Sequence, residues 1–296
     1  MKVTVFTPVY NRANIIGKLK DSLVNQTVKD FEWLIIDDGS SDNICNVVKE
    51  FQTQQMGFDM VFISKENGGK HTCINLATDI AKGELFFIVD SDDYLSFDAI
   101  EKIINMYDSI EDKTRFCGVA GLRIHENGEV IGTTFNGEYI DATSLERKEY
   151  NITGDKSEVF ITSILKKYKF PVFESERFIT ENVVWLKMAG DGYLIRWFNE
   201  PIYICEYLEG GLSDLVKKDL LKNFYGDIYT DSLYIRYYHY SLPMRIRIYG
   251  GAYERYLADR DKNKLQFILK NFGINKFVLS LSYHIYKVYK LVRRKS

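Results

Sequence analysis

The run Phe87-Ile88-Val89-Asp90-Ser91-Asp92-Asp93 sets carboxylates directly after strand-forming apolar residues. Adjacent carboxylates do not continue comfortably into a buried ladder. The strand is therefore expected to end there and present them at the carboxyl edge of a sheet, where open α/β folds bind ligands. Hard carboxylate oxygens so placed suit Mg2+ or Mn2+ and the phosphate oxygens that such a cation bridges, and one or two protein carboxylates suffice because phosphate and water fill the remaining positions. An isolated Asp-x-Asp reads as readily as an acidic surface turn, because short motifs recur by accident.

This one has companions. Lys2-Val3-Thr4-Val5-Phe6 runs into Thr7-Pro8-Val9-Tyr10-Asn11-Arg12, and Phe31 to Ile36 runs into Asp37-Asp38-Gly39-Ser40-Ser41-Asp42. Asn67-Gly68-Gly69-Lys70-His71 then opens a helical spacing of apolar residues through Cys73, Ile74, Leu76, Ala77 and Ile80. Strand, polar cluster and amphipathic helix in alternation are the rhythm of a parallel sheet, so the four clusters are expected to meet along one edge.

In this order and spacing the segments resemble the family 2 glycosyltransferases, a likeness extended by Gly154-Asp155-Lys156-Ser157-Glu158-Val159 and Phe178 to Trp185, which look like the subgroup of bacterial surface-polysaccharide enzymes. The resemblance covers roughly the first two thirds of the chain. It implies the GT-A nucleotide-diphospho-sugar transferase fold: α/β, a Rossmann-like mixed, mainly parallel sheet flanked by helices, here with a C-terminal helical extension. Residues 1–210 would form the catalytic domain, with a nucleotide-sugar-binding half (1–110) and an acceptor half (111–210). Residues 211–296 would form the helical region.

The resemblance also assigns roles. Asp92 is the expected direct metal ligand. Asp90 would touch the ribose or a metal-bound water, and Ser91 lies between them. Asp38 would accept the uracil imide hydrogen, making a UDP-sugar the expected donor. Tyr10 could stack on that base, Thr7 and Pro8 would shape the backbone around it, and Arg12 and Lys70 would face the diphosphate. Gly69, with Gly68, permits close backbone approach to the ligand. Asp93 is equally open to capping a helix that begins near Ser96. His71 reads as a structural group rather than a metal ligand.

Inversion at the anomeric carbon needs a carboxylate to take the acceptor proton. The family places an Asp in a Glu-Asp pair beyond the metal site, whereas this chain reads Thr180-Glu181-Asn182. Glu181 becomes the first candidate base and Asp155 the second. The loop Gly210-Gly211-Leu212-Ser213-Asp214 is a candidate to close over the donor.

Composition narrows the remaining classes. Among 296 residues, 46% are hydrophobic and 15% aromatic, enough for one large domain with an appendage. Cys45, Cys73, Cys117 and Cys205 form no Cys-x-x-Cys pair and are expected to be reduced packing residues. The chain opens on a strand rather than a leader, so a cytoplasmic protein is expected. No Gly-x-Gly-x-x-Gly follows the first strand, which argues against a dehydrogenase, and no glycine-rich, Lys-bearing first loop supports a nucleotide-sugar pyrophosphorylase. A non-catalytic nucleotide-sugar-binding protein stays open because of Asn182.

The net charge of −2 hides an asymmetry: nine Lys and Arg and no acid follow Asp261, leaving −11 on the rest. Phe277, Leu281, Ile285, Val288 and Val292 recur at helical spacing, with Lys276, Lys287, Lys290 and Arg294 near the opposite face. A basic amphipathic helix suits an anionic membrane surface, here the inner face of the cell membrane, or else packs its apolar side on the body. Charge confined to one helix, on a body that repels phosphate, argues against nucleic acid. The Tyr- and Arg-rich stretch 215–260 is expected to be a packed helical subdomain. With the resemblance, such a helix makes a lipid-linked glycan the expected acceptor, with a free oligosaccharide as the alternative; the donor sugar, the acceptor glycan, the linkage position and the oligomeric state are not encoded in any readable way.

Overall fold

The computed structural model describes residues 1–174, 176–206 and 223–293; the loop Gly210–Asp214 lies outside them. Among the described residues the chain forms two compact units, one of 1–170 with 187–206, the other of 171–174, 176–186 and 223–293.

The first unit is built on a mixed sheet ordered β3-β2-β1-β4-β8-β6-β9-β5, with β7 on β9. Its strands are β1 (Val3–Val9), β2 (Phe31–Asp37), β3 (Asp59–Ser64), β4 (Leu85–Ile88), β5 (Tyr94–Leu95), β6 (Phe116–His125), β7 (Tyr139–Ala142), β8 (Lys156–Ile161) and β9 (Leu194–Cys205). Helices α1 (Ile16–Val24), α2 (Ile44–Gln52), α3 (Lys70–Ile80), α4 (Ala99–Asp108) and α5 (Thr162–Leu165) connect them. β1 to β4 pair in parallel, β8 inserts antiparallel between β4 and β6, and β6 and β9 run parallel to each other. The carboxyl ends of β1, β2, β3, β4, β6 and β9 therefore share one edge with the start of β8. That shared edge is what the sequence pattern predicted for the four polar clusters.

Every residue of β2 is buried, which explains why this central strand reads as a continuous apolar run rather than an alternation. Of its two carboxylates, Asp37 ends the strand and Glu32 is satisfied within it, accepting the Thr4 hydroxyl at 2.6 Å and the Lys82 amide at 2.7 Å. All four cysteines are free, and burial pushes the Cys73 and Cys117 thiols up to about 12, as expected of inert packing groups.

The second unit is helical: α7 (Phe224–Tyr237), α8 (Leu242–Leu257), α9 (Lys262–Phe272) and α10 (Lys276–Arg293), joined by residues 171–186, where α6 (Asn182–Gly190) begins. Pro243 occupies the first turn of α8, the Asp261 carboxylate caps α9 by accepting the Asn263 amide at 2.7 Å, and Gly273 ends α9 at φ 65°. Its core gathers Phe224, Ile228, Tyr249, Ala252, Ile268, Phe272 and Leu279. From residue 223 onward the Tyr- and Arg-rich stretch forms a packed helical core, while 215–222 lie outside the described residues.

Residues 171–186, expected within the acceptor half, cluster with these helices instead. The cause is visible at Glu176, a buried side chain whose carboxylate accepts the Tyr225 and Gly226 amides at 2.6 and 2.7 Å. It satisfies two of the amides that any helix start leaves without a partner. Phe173 adds a stacked ring on Tyr225 at 5.7 Å. Glu176→Ala is expected to destabilise the helical unit by about 1–3 kcal/mol, because both amides lose their acceptor in a buried site. Urea unfolding followed by aromatic fluorescence measures this; a loss under about 0.5 kcal/mol would show that the two bonds are dispensable.

Candidate active site at the carboxyl edge of the sheet

Asp38 follows β2 and is only 4% exposed. Its Oδ1 accepts the Lys65 ammonium at 2.6 Å and the Gly68 amide at 2.8 Å, and its Oδ2 accepts the Gly69 amide at 2.7 Å. Gly69 precedes α3 at φ 92°, a conformation that side chains rarely adopt, so the carboxylate and the glycine together fix where the helix begins. One strand-end residue thereby folds the segment 65–69 and aims Lys70 across the edge. The Cys73 thiol also bears on this carboxylate, so Asp38 is held from several sides.

The loop after β1 is tied to the loop after β2. Asn11, at φ 54°, accepts the Ser41 amide at 2.8 Å through its side-chain carbonyl, while its own amide donates to the Ser40 hydroxyl at 2.8 Å. Asp42 returns the tie by accepting the Ala13 amide at 2.8 Å. This leaves Tyr10 51% exposed at the surface, able to offer a ring face. Thr7 points inward, its hydroxyl accepting the Trp33 indole N–H at 3.0 Å, so Thr7 and the half-buried Pro8 support the edge from below.

The Asp-Ser-Asp segment sits where β4 ends. Asp90 forms an ion pair with Lys70 at 2.6 Å, their side chains 29% and 25% exposed. Burial pushes the Asp90 carboxyl up, but Lys70, Arg123 and Arg12 outweigh it and hold it below the ordinary value. Asp92 goes the other way: burial and the neighbouring Asp90 raise it above the usual carboxylate range. A divalent cation between them would relieve that repulsion. Among the described residues no three His, Cys, Asp or Glu side chains form a complete metal cage. Two hard carboxylates at an open edge fit a cation whose remaining positions are filled by phosphate and water. Ser91 is buried between them, and His71 is buried beneath the start of α3.

Asp93 does not cap a helix. Its Oδ2 accepts the Tyr203 hydroxyl at 2.7 Å and its Oδ1 the Glu206 amide at 3.0 Å, while α4 begins only at Ala99, preceded by Asp98. Burial raises its carboxyl to about 6.

Four residues that sequence reasoning passed over belong to this edge: Lys65, Asn11, Arg123 and Tyr203. Asn11 lay inside a quoted motif, and Lys65 stands two residues before Asn67. Arg123 and Tyr203 carried no local signal, since β6 and β9 bring them there through sheet register.

Of the two candidate bases, Asp155 is exposed in the turn that leads into β8 at the same edge. Glu181 lies in the other unit at the first turn of α6, where its carbonyl accepts the Val184 and Trp185 amides. Asn182, where the family pattern has Asp, donates its amide to the Tyr234 hydroxyl at 3.0 Å.

Residues 4–168 match the profile described as glycosyl transferase family 2. Over 228 residues the chain is 28% identical to the glycosyltransferase GlyA of Streptococcus pneumoniae, covering 72% of this chain and 31% of that protein. It is 28% identical over 171 residues to the poly(ribitol-phosphate) beta-glucosyltransferase of Bacillus spizizenii, covering 57% of this chain and 26% of that protein. The chain therefore spans less than a third of the length of either relative. Residues 1–349 of S. aureus TarS, solved in complex with UDP-GlcNAc, share the fold with a TM-score of 0.64 at 19% identity, covering 92% of this chain and 80% of that one.

Asp38→Asn places an amide where two backbone N–H groups and an ammonium now point. The catalytic unit is expected to lose about 1.5–3 kcal/mol, the range for hydrogen bonds to a charged group. Amide exchange at Gly68 and Gly69 should accelerate in step. Unchanged exchange there would mean that Asp38 does not organise the segment.

Proposed function

The chain belongs to glycosyl transferase family 2, and on that premise we propose that it is a metal-dependent, inverting enzyme that moves a sugar from a UDP-sugar to a glycan acceptor, lipid-linked, in surface-polysaccharide synthesis. The observation that supports this most is the shared edge itself, where Asp90 and Asp92 stand among Lys70, Arg12 and Arg123 beside the segment folded by Asp38. Mn2+ or Mg2+ held by Asp92 and Asp90 would neutralise the leaving diphosphate. Lys70 and Arg12 bear on the same charge. Tyr10 offers its ring to the base, and Asp38, at the end of β2 beside it, is the carboxylate that the family resemblance assigns to the uracil imide N–H, the reading that favours uridine. A carboxylate, Glu181 or Asp155, takes the acceptor hydroxyl proton as the new bond forms on the opposite face of the sugar.

A screen of nucleotide sugars for nucleoside diphosphate release tests this. One UDP-sugar should be turned over slowly with Mn2+ or Mg2+ and not with chelator, and Asp92→Ala should abolish release while leaving the fold intact. Turnover by Asp92→Ala at saturating Mn2+ would remove Asp92 from the site, and binding without release would favour a non-catalytic binding protein. Run alongside, Glu181→Gln should lower transfer by about 10²–10⁴-fold with donor affinity nearly unchanged. A full loss in Asp155→Asn with Glu181→Gln near parent activity moves the base to Asp155.

We further propose that the protein works at the inner membrane face through α10. No helix among the described residues is long and apolar enough to cross a membrane. One face of α10 packs on α8: Leu279 and Ser282 are buried, Tyr286 lies against Gly250, and Lys290 pairs with Glu254 at 2.9 Å. The other face leaves Phe277, Leu281, Ile285, Val288 and Val292 exposed, 44–74% of each, and Lys276 and Lys287 are exposed on the flank of the helix. The helix therefore packs and presents an apolar, basic surface at once, the composition of an interfacial helix on anionic lipid. Because Leu279 belongs to the helical core, substitution tests this better than deletion. Leu281→Glu with Ile285→Glu should release the protein from phosphatidylglycerol vesicles, added salt should weaken binding by the parent chain, and the unfolding midpoint should stay near the parent value. Equal vesicle binding by the double variant would end this reading.

A further inference from the structure

We propose that Tyr203 and Asp93 form an internal latch that sets the position of the Asp90–Asp92 turn, making Tyr203 a positioning residue for metal and diphosphate; the inference rests on the donor-site reading above. Tyr203 lies near the end of β9 and has no exposed surface. Its hydroxyl is used in both directions, donating to Asp93 Oδ2 at 2.7 Å and accepting the Asp90 amide at 3.0 Å. The turn closes on itself as the Asp93 amide donates to the Asp90 carbonyl at 3.2 Å. Asp93 Oδ1 accepts the Glu206 amide at 3.0 Å, tying the turn to the residue that follows β9.

The ring is clamped as firmly as the hydroxyl. The Arg123 guanidinium covers it at 4.3 Å, and Phe87 meets it edge-on at 6.1 Å. Arg123 itself is anchored by donating to the Lys156 carbonyl at 3.1 Å, and it is one of the cations that act on Asp90. Any buried phenol needs a hydrogen-bond partner, so what matters here is which groups the hydroxyl engages. This one fixes the direction of the Asp90 amide, and hence of the Asp90 side chain, while its proton is committed to the third carboxylate of the motif. Groups that orient metal ligands in this way typically carry 10–100-fold in metal affinity.

Tyr203→Phe keeps the ring and its clamp but leaves the Asp90 amide and Asp93 Oδ2 without their partner. Mn2+ binding in the presence of UDP, followed by electron paramagnetic resonance rather than turnover, should weaken by roughly tenfold or more. The Mn2+ concentration for half-maximal UDP release should rise in parallel, with kcat at saturating metal changed less. Asp93→Asn, which keeps an acceptor for the phenol, should be milder than Asp93→Leu, and Asp93→Leu combined with Tyr203→Phe should be no worse than the more severe single change. Parent-like Mn2+ affinity in Tyr203→Phe, or full additivity in the double variant, overturns the latch. Should Tyr203→Phe fail to fold, the order of the two Asp93 variants decides: equal affinities overturn the latch. Asp92→Ala separates the two levels of inference. If it abolishes Mn2+–UDP binding while Tyr203→Phe does not alter it, the latch alone falls. If Asp92→Ala binds as the parent does, the donor site falls and the latch with it.

Discussion

A carboxylate at the end of a buried strand costs free energy unless a donor or a cation answers it. The carboxyl edge of this sheet is organised by how each one is answered. Asp37 accepts the Ser40 amide and the Ser64 hydroxyl and becomes part of a turn. Asp38 takes two amides and Lys65, and in doing so folds the segment leading into α3. Asp93 takes Tyr203 and Glu206. Asp90 has Lys70 in contact and two further cations acting on it. For Asp92, burial and Asp90 outweigh what its own amide, Arg12 and Lys70 supply. Asp92 and Asp93 both stay raised, but Asp93 is already engaged by Tyr203 and Glu206, so Asp92 is the one that a cation arriving with a diphosphate would complete.

The same edge reverses the electrostatics of the body around it. Outside the basic C-terminal stretch the chain carries −11, yet Arg12, Lys65, Lys70 and Arg123 converge where the strands end. Cations gathered where the strands end would raise the local concentration of an anionic ligand there. The ion pairs Asp38–Lys65 and Asp90–Lys70 keep those lysines extended over the edge before any ligand arrives.

Where chemistry is written locally, the sequence was legible. Asp38, Gly69, Lys70, Asp90 and Asp92 each follow a strand-forming run within a few residues, and period and punctuation suffice to place them on one edge. For Asp93 the sequence left helix capping open, because a carboxylate before a helix has that common local use, whereas its partner comes from β9, 110 residues away. Tyr203 and Arg123 are ordinary strand residues until the β6–β9 register pairs them. Glu176 escaped notice for the same reason, since its task is to satisfy amides about 50 residues onward. The amphipathic period of α10 was plain, but periodicity cannot say whether a protein face or a lipid surface receives the apolar side, and the helix has apolar residues enough for both.

Asn182 shows how far the division between local and long-range information reaches into the chemistry. An Asp at that position could only accept a hydrogen bond while ionised, whereas the Asn amide donates to Tyr234 and so ties the start of α6 to α7 within the helical unit. The side chain has a structural occupation and no basicity to offer, so in the proposed reaction a different carboxylate would have to take the proton. The two candidates stand in different settings: Asp155 in an exposed turn at the sheet edge, Glu181 directly before α6, where its carbonyl is taken up by the first turn of the helix. A local motif names a position for the base, but once the family's Asp is replaced by Asn the motif alone no longer says which neighbouring carboxylate would serve.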